Sequence, residues 1–120
     1  MTPPLLEQAK TICLSLGLPF QTGLCTNAPH PDTFVVATPI ADVFDVHADN
    51  QPHIEIESVR LSLFTKSNYL ALRNMLTKAL LGAGVTVVAR RYVGFEEDTS
   101  YHHYALDIET HHPFELEGTP

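Results

Sequence analysis

Histidine is the residue type that first invites a chemical reading. Seven occur in 120 residues, and four of them stand in two adjacent pairs, His102-His103 and His111-His112. Clustered imidazoles are common ligands of zinc, which makes these pairs the first candidates for a metal site. Neighbouring residues on a strand point to opposite faces, however, so neither pair can chelate through both rings while extended. A site would need His103 with a carboxylate such as Asp107 or Glu109, or two loops that meet, and no HxH or HExxH spacing is present. The pattern favours solvated or interface histidines over a bound metal.

The other reactive types read in the same way. Glu55 and Glu57 share one strand face, as a paired-carboxylate site would require, but nothing positions a partner and a solvated face gives the same alternation. Cys13 lies in a helical stripe where packing explains it, and Cys25 lies in a loop. With no CxxC, two free thiols are expected rather than a disulfide. Glu96-Glu97-Asp98 reads as a charged turn. Gly82-Ala83-Gly84 follows a helix rather than leading into one, so it is no phosphate loop. No catalytic residue, cofactor or metal is predicted.

The elements that carry these residues centre on His53 to Gly84. Apolar side chains alternate at Ile54 and Ile56, then at Val59, Leu61 and Leu63, with a change of phase between the two sets. That slip predicts a strand over 54–64 with a bulge near Glu57-Ser58. A Thr65-Lys66 link leads to a helix with Ser67 as N-cap and a stripe of Tyr69, Leu72, Met75, Leu76, Ala79, Leu80 and Ala83, stopped by Gly82 and Gly84. Upstream, Thr2-Pro3 signals a first helix with Leu5, Leu6, Ala9, Ile12, Cys13 and Leu16 on one stripe, ended by Gly17. Residues 18–32 hold three prolines and read as a crossing loop.

Residues 33–37 and 40–48 read as two strands, and 49–52 as a turn. Residues 85–93 form a strand with Val85, Val87 and Ala89 on one face, 94–100 a loop, and 101–109 a last strand with Tyr104, Leu106 and Ile108 inward. Beyond His112-Pro113 a loose tail is expected. The sum is one α+β domain in the order α-β-β-β-α-β-β, with a largely antiparallel sheet of about five strands and two helices on one face.

Composition limits the partners. A net charge of −7 with scattered basic residues argues against a specific nucleic-acid reader. No apolar run reaches the roughly 18 residues of a membrane span, and no secretory signal opens the chain, so a protein made and kept in the cytoplasm, or leaving it only by cell lysis, is expected.

Several segments together carry a resemblance. Ala48-Asp49-Asn50, the strand ending at residues 60–66 (RLSLFTK), the helix ending at 81–85 (LGAGV) and residues 92–104 (YVGFEEDTSYHHY) resemble, in order and spacing over residues 40–110, the head-tail joining or tail-completion (tail-terminator) proteins of long-tailed phages and prophages. The resemblance implies a non-enzymatic virion protein, assembled in the host cytoplasm and placed at the head-tail junction. There it would form a homo-oligomeric ring, commonly of six subunits, that caps the tail tube and meets the head-connector proteins. It could remain a monomer in isolation, and DNA would pass through the ring. The contact surfaces would be the 18–32 loop, the turn with Asp49 and Asn50, and the loop with Phe95, Glu96, Glu97 and Asp98. Two other classes stand beside this one: a binding or regulatory module of a mobile element, and a small metal-dependent enzyme using the late histidines.

Overall fold

In the computed structural model, which describes residues 4–23, 31–46 and 52–113, the sheet is organised by two long central strands. They are β3 (Pro52–Thr65) and β5 (Tyr101–Pro113), antiparallel in one unbroken register from Ile54 opposite Pro113 to Thr65 opposite His102. β2 (Thr33–Val46) pairs antiparallel with β3, and β4 (Thr86–Glu96) antiparallel with β5. A three-residue β1 (Phe20–Thr22) pairs parallel with β2, giving the order β1-β2-β3-β5-β4. Helices α1 (Leu5–Ser15) and α2 (Tyr69–Gly82) complete the expected α+β fold and element order.

Alternation decides what each sheet face meets. Val35 and Ala37 of β2, Val59, Leu61 and Leu63 of β3, and Tyr104, Leu106 and Ile108 of β5 point to one face. They are buried there with Leu5, Ala9 and Cys13 of α1 and Leu76 and Leu80 of α2. Both helices therefore cover the same face. A second cluster, Phe34, Val36, Phe64 and Tyr101, lies on the other face. There Phe34 stacks on Phe64 at 4.9 Å, and the Tyr101 hydroxyl donates to the Pro31 carbonyl at 2.6 Å.

The expected order is realised by partly different strands. Residues 33–37 and 40–48 were expected as two strands, but Thr33–Val46 runs as one. Pro39 does not end it, because a proline at a sheet edge has no outward ladder bond to lose. The remaining strand is β1, inside the stretch read as a loop; three residues paired only with Val35–Ala37 are too few to show a period. The 94–100 loop is shorter than expected, since Gly94, Phe95 and Glu96 still pair with His103, His102 and Tyr101.

The bulge is also elsewhere. β3 carries no extra residue near Glu57-Ser58; the irregularity lies opposite, in β2, where Ile40 is inserted between the pairs Pro39–Val59 and Ala41–Ser58. A second bulge, at Val88 of β4, sits at the same level on the far side, between Val87–Ile108 and Ala89–Asp107. It turns Ala89 away from the face of Val87, against expectation. The phase change along β3 is a change of apolar face: Val59, Leu61 and Leu63 point to the helices, while Ile54 and Ile56 point to the opposite side.

Local signals set the helix ends. Asn68, not Ser67, caps α2: its side chain accepts from the backbone N–H of Leu70 and Ala71. The Ser67 N–H instead donates to Thr65 Oγ1, and the fully buried Thr65 hydroxyl also meets Thr33 Oγ1 at 2.8 Å. Met75, expected on the buried stripe, is exposed. Helix α1 begins at Leu5, after Pro4, with no side-chain cap of its own; the Leu5 N–H donates to Glu57 Oε1 of β3 at 3.3 Å. Thr2, the expected cap, and Cys25, Asp49, Asn50 and the tail from 114 on lie outside the described residues. Gly84 ends α2 at φ 84°, a left-handed conformation that costs glycine little.

Burial grades the cost of truncation. Leu61 is fully enclosed between β2, β5 and the helices, so Leu61→Ala is expected to lose about 2–5 kcal/mol. Leu81→Ala, on the exposed side of α2, should change stability by no more than about 0.5 kcal/mol. Urea unfolding of both variants measures the contrast.

Candidate partner interface

Among the described residues, edge strand β4 is the least covered strand of the sheet. Of its eleven residues only Val87 and Gly94 are half-buried and the rest are exposed, among them Val88, Tyr92, Val93 and Phe95. An edge strand exposed on both faces, with apolar side chains along it, is a template for pairing. At its end the turn of Glu97, Asp98, Thr99 and Ser100 reverses the chain. Ser100 sits at φ 65°, its N–H donates to the Glu96 carbonyl at 2.7 Å, and Thr99 Oγ1 donates to Glu96 Oε1 at 2.9 Å. These bonds leave Glu97 and Asp98 projecting into solvent beside Glu96.

Beside the turn, on the helix side of the sheet, aromatic rings form a continuous patch. Phe95 meets His102 at 4.9 Å, His102 Nδ1 lies 3.0 Å from the Tyr92 hydroxyl, and Tyr69 lies 4.9 Å from Tyr92 and 5.0 Å from His102. Arg73 of α2 closes the patch over Tyr104, with 5.6 Å from guanidinium to ring centre. Tyrosine, phenylalanine and arginine packed this way, with half-exposed rings, have the composition of an interface centre. Four of the expected contact residues, Phe95, Glu96, Glu97 and Asp98, thus fall together at one end of β4. Tyr69, Tyr92, His102 and Arg73 join them and were not expected; only the β4–β5 register and the α2 N-terminus bring them there.

The histidine pair divides between the faces as strand geometry requires. His103 lies on the side away from the helices, stacked on Phe64 at 4.3 Å. Its carboxylate candidates do not reach it. Asp107 is four residues along the strand, about 13 Å away. It is engaged by Arg60 through bonds of 2.8 and 3.1 Å, which hold its carboxyl below the usual range. Glu109 lies 2.9 Å from His111 Nε2. Among the described residues no three His, Cys, Asp or Glu side chains gather as metal ligands. Nor do Glu55 and Glu57 form a pair for acid-base work, because Glu57 is turned to the start of α1.

Cys13 is fully buried, and burial pushes its thiol up to about 12. A shallow cleft of about 250 Å³ lies between α1 and the end of α2, lined by Glu7, Gln8, Thr11, Ile12 and Ala83. No protein-family model matches the chain, and no curated protein matches it either.

The environment of His103 sets a pH dependence. Burial lowers its affinity for a proton from the ordinary value of 6.5, with Arg91 and Arg60 acting in the same direction and Glu96 opposing. The unfolded chain therefore binds this proton more readily. Stability should be full above pH 6.5 and should fall as pH drops through the lower folded value. The Arg60–Asp107 contribution is lost separately, only below the ordinary Asp value of 3.8. In denaturant titrations across pH, His103→Phe is expected to remove the upper of these two acid limbs and leave the lower.

Proposed function

We propose that the chain is a structural virion protein that caps a phage tail tube and joins it to the head connector as a ring of subunits. The observation that carries this reading is β4, exposed on both faces and ending in the Phe95 aromatic patch and the Glu96–Asp98 turn. A ring subunit needs surface of this kind, because each copy must offer contacts to a neighbour and to the proteins above and below it. The segments that resemble tail-completion proteins support the same reading. Six copies would carry about −42 in charge, and a wall of that sign around the channel would repel passing DNA rather than bind it.

Deletion of the gene from the phage or prophage that carries it is the direct test. Heads and tails that fail to join, or tails of abnormal length, are expected by electron microscopy; normal virions would sink the proposal. Complementation with Phe95→Ala should leave the fold within about 1 kcal/mol of the parent, since the ring is half-exposed, yet lower the yield of joined particles.

A further inference from the structure

We infer that copies of this chain associate head to tail through their sheets, the outer edge of β4 in one copy pairing with the free stretch of β2 in the next. This rests on the ring reading above and names the contact that would close the ring. Among the described residues the sheet has two uncovered edges on opposite sides of β3–β5. One is β4, exposed along almost its whole length. The other is β2 beyond Ala37: β1 pairs only with Val35–Ala37, and Thr38 through Asp42 are all exposed. Pro39 lacks an N–H, so the pairing stretch of this edge begins at Ile40.

Charge selects how the two edges meet. β4 carries Arg90 and Arg91, exposed and without an ion-pair partner among the described residues, in a chain with twice as many acidic as basic residues. The free stretch of β2 carries Asp42 and Asp45 and no basic residue. A two-fold pairing of β4 with itself about its midpoint would set Arg91 against Arg91 and Arg90 beside it, a like-charge cluster that opposes pairing. Two-fold pairing of β2 about Val43 would likewise bring Asp42 diagonally beside its own copy, like charge near like charge. Only β4 against β2 places arginines near aspartates, and a contact between different surfaces repeats from copy to copy.

Direction agrees as well. Three antiparallel steps separate β2 from β4, so the two strands run opposite ways. Rotation about an axis along the strands keeps every direction, and β4 then meets the next β2 antiparallel. The alternation within each copy continues across the contact.

Sedimentation over rising protein concentration, with three variants, tests the pairing. The parent chain should form species beyond a dimer. Arg90→Glu with Arg91→Glu, and separately Asp42→Arg with Asp45→Arg, should each weaken association at least tenfold. The chain with all four changes should recover it, which also shows that the reversed edges fold. A parent chain that stays monomeric or stops at a dimer overturns the pairing. So does association that neither reversal weakens. In either case the deletion phenotype still judges the ring reading separately.

Discussion

The straight pairing of β3 with β5 is the constraint from which the other features follow. Its register is unbroken from Ile54 to Thr65, and both helices rest on its buried face through Val59, Leu61, Leu63, Tyr104, Leu106 and Ile108. Twisted sheets that keep a regular centre must adjust at the flanks. Here both flanking strands do so at one level, through Ile40 in β2 and Val88 in β4, and each pairing shifts once more towards an end of its strand, at Val93 of β4 and between Asp45 and Val46 of β2. Neither Ile40 nor Val88 finds a place in the core, and they remain 50% and 55% exposed. The apolar face of β3 changes at the same level, where its helix-facing side runs on into Glu57 and Glu55. One of those carboxylates takes the first free N–H of α1, so the end of the core is also the start of a helix.

Most of the fold was legible because it is written in short-range patterns. The stripe of α1, Tyr69, Leu72, Leu76 and Leu80 of the α2 stripe, and the inward set Tyr104, Leu106 and Ile108 follow from periodicity alone and join the core; Met75, Ala79 and Ala83 of the expected α2 stripe do not. What escaped depends on partners distant in sequence. β1 is a strand only because β2 lies beside it. The β3 phase change has two explanations, a bulge or a change of face, and local pattern cannot separate them. Arg60 and Asp107 become a bidentate pair only once β3 and β5 are in register, 47 residues apart. For the site, the run from Phe95 to Asp98 stood out by composition. The rings of Tyr69 and Tyr92 were invisible as a patch until a helix and two strands converged.

The two faces of the sheet divide the labour. One is closed by helices and holds the large aliphatic side chains. The other carries a smaller aromatic cluster, with the Tyr101 hydroxyl tied to Pro31. Side chains at these positions are explained by packing or hydrogen bonding. Of the exposed large apolar side chains among the described residues, Leu14, Leu70, Met75 and Leu81 are scattered over the helices, while Ile40, Val88, Tyr92, Val93 and Phe95 lie on the sheet edges. Such an arrangement suits recognition by addition of strands and rings more than enclosure of a small molecule.

Cys13 gives the molecule an internal clock. Its thiol is fully enclosed under α1, and with a proton affinity near pH 12 almost none of it is thiolate at neutral pH while the helix is seated. An alkylating reagent can reach that sulfur only after α1 has lifted from β2 and β3. Where alkylation outpaces reclosing, the rate at which Cys13 is modified equals the rate at which the first helix opens; where reclosing is faster, it reports the fraction open, and in both regimes it separates these openings from events at the far edge of the sheet, which leave Cys13 covered.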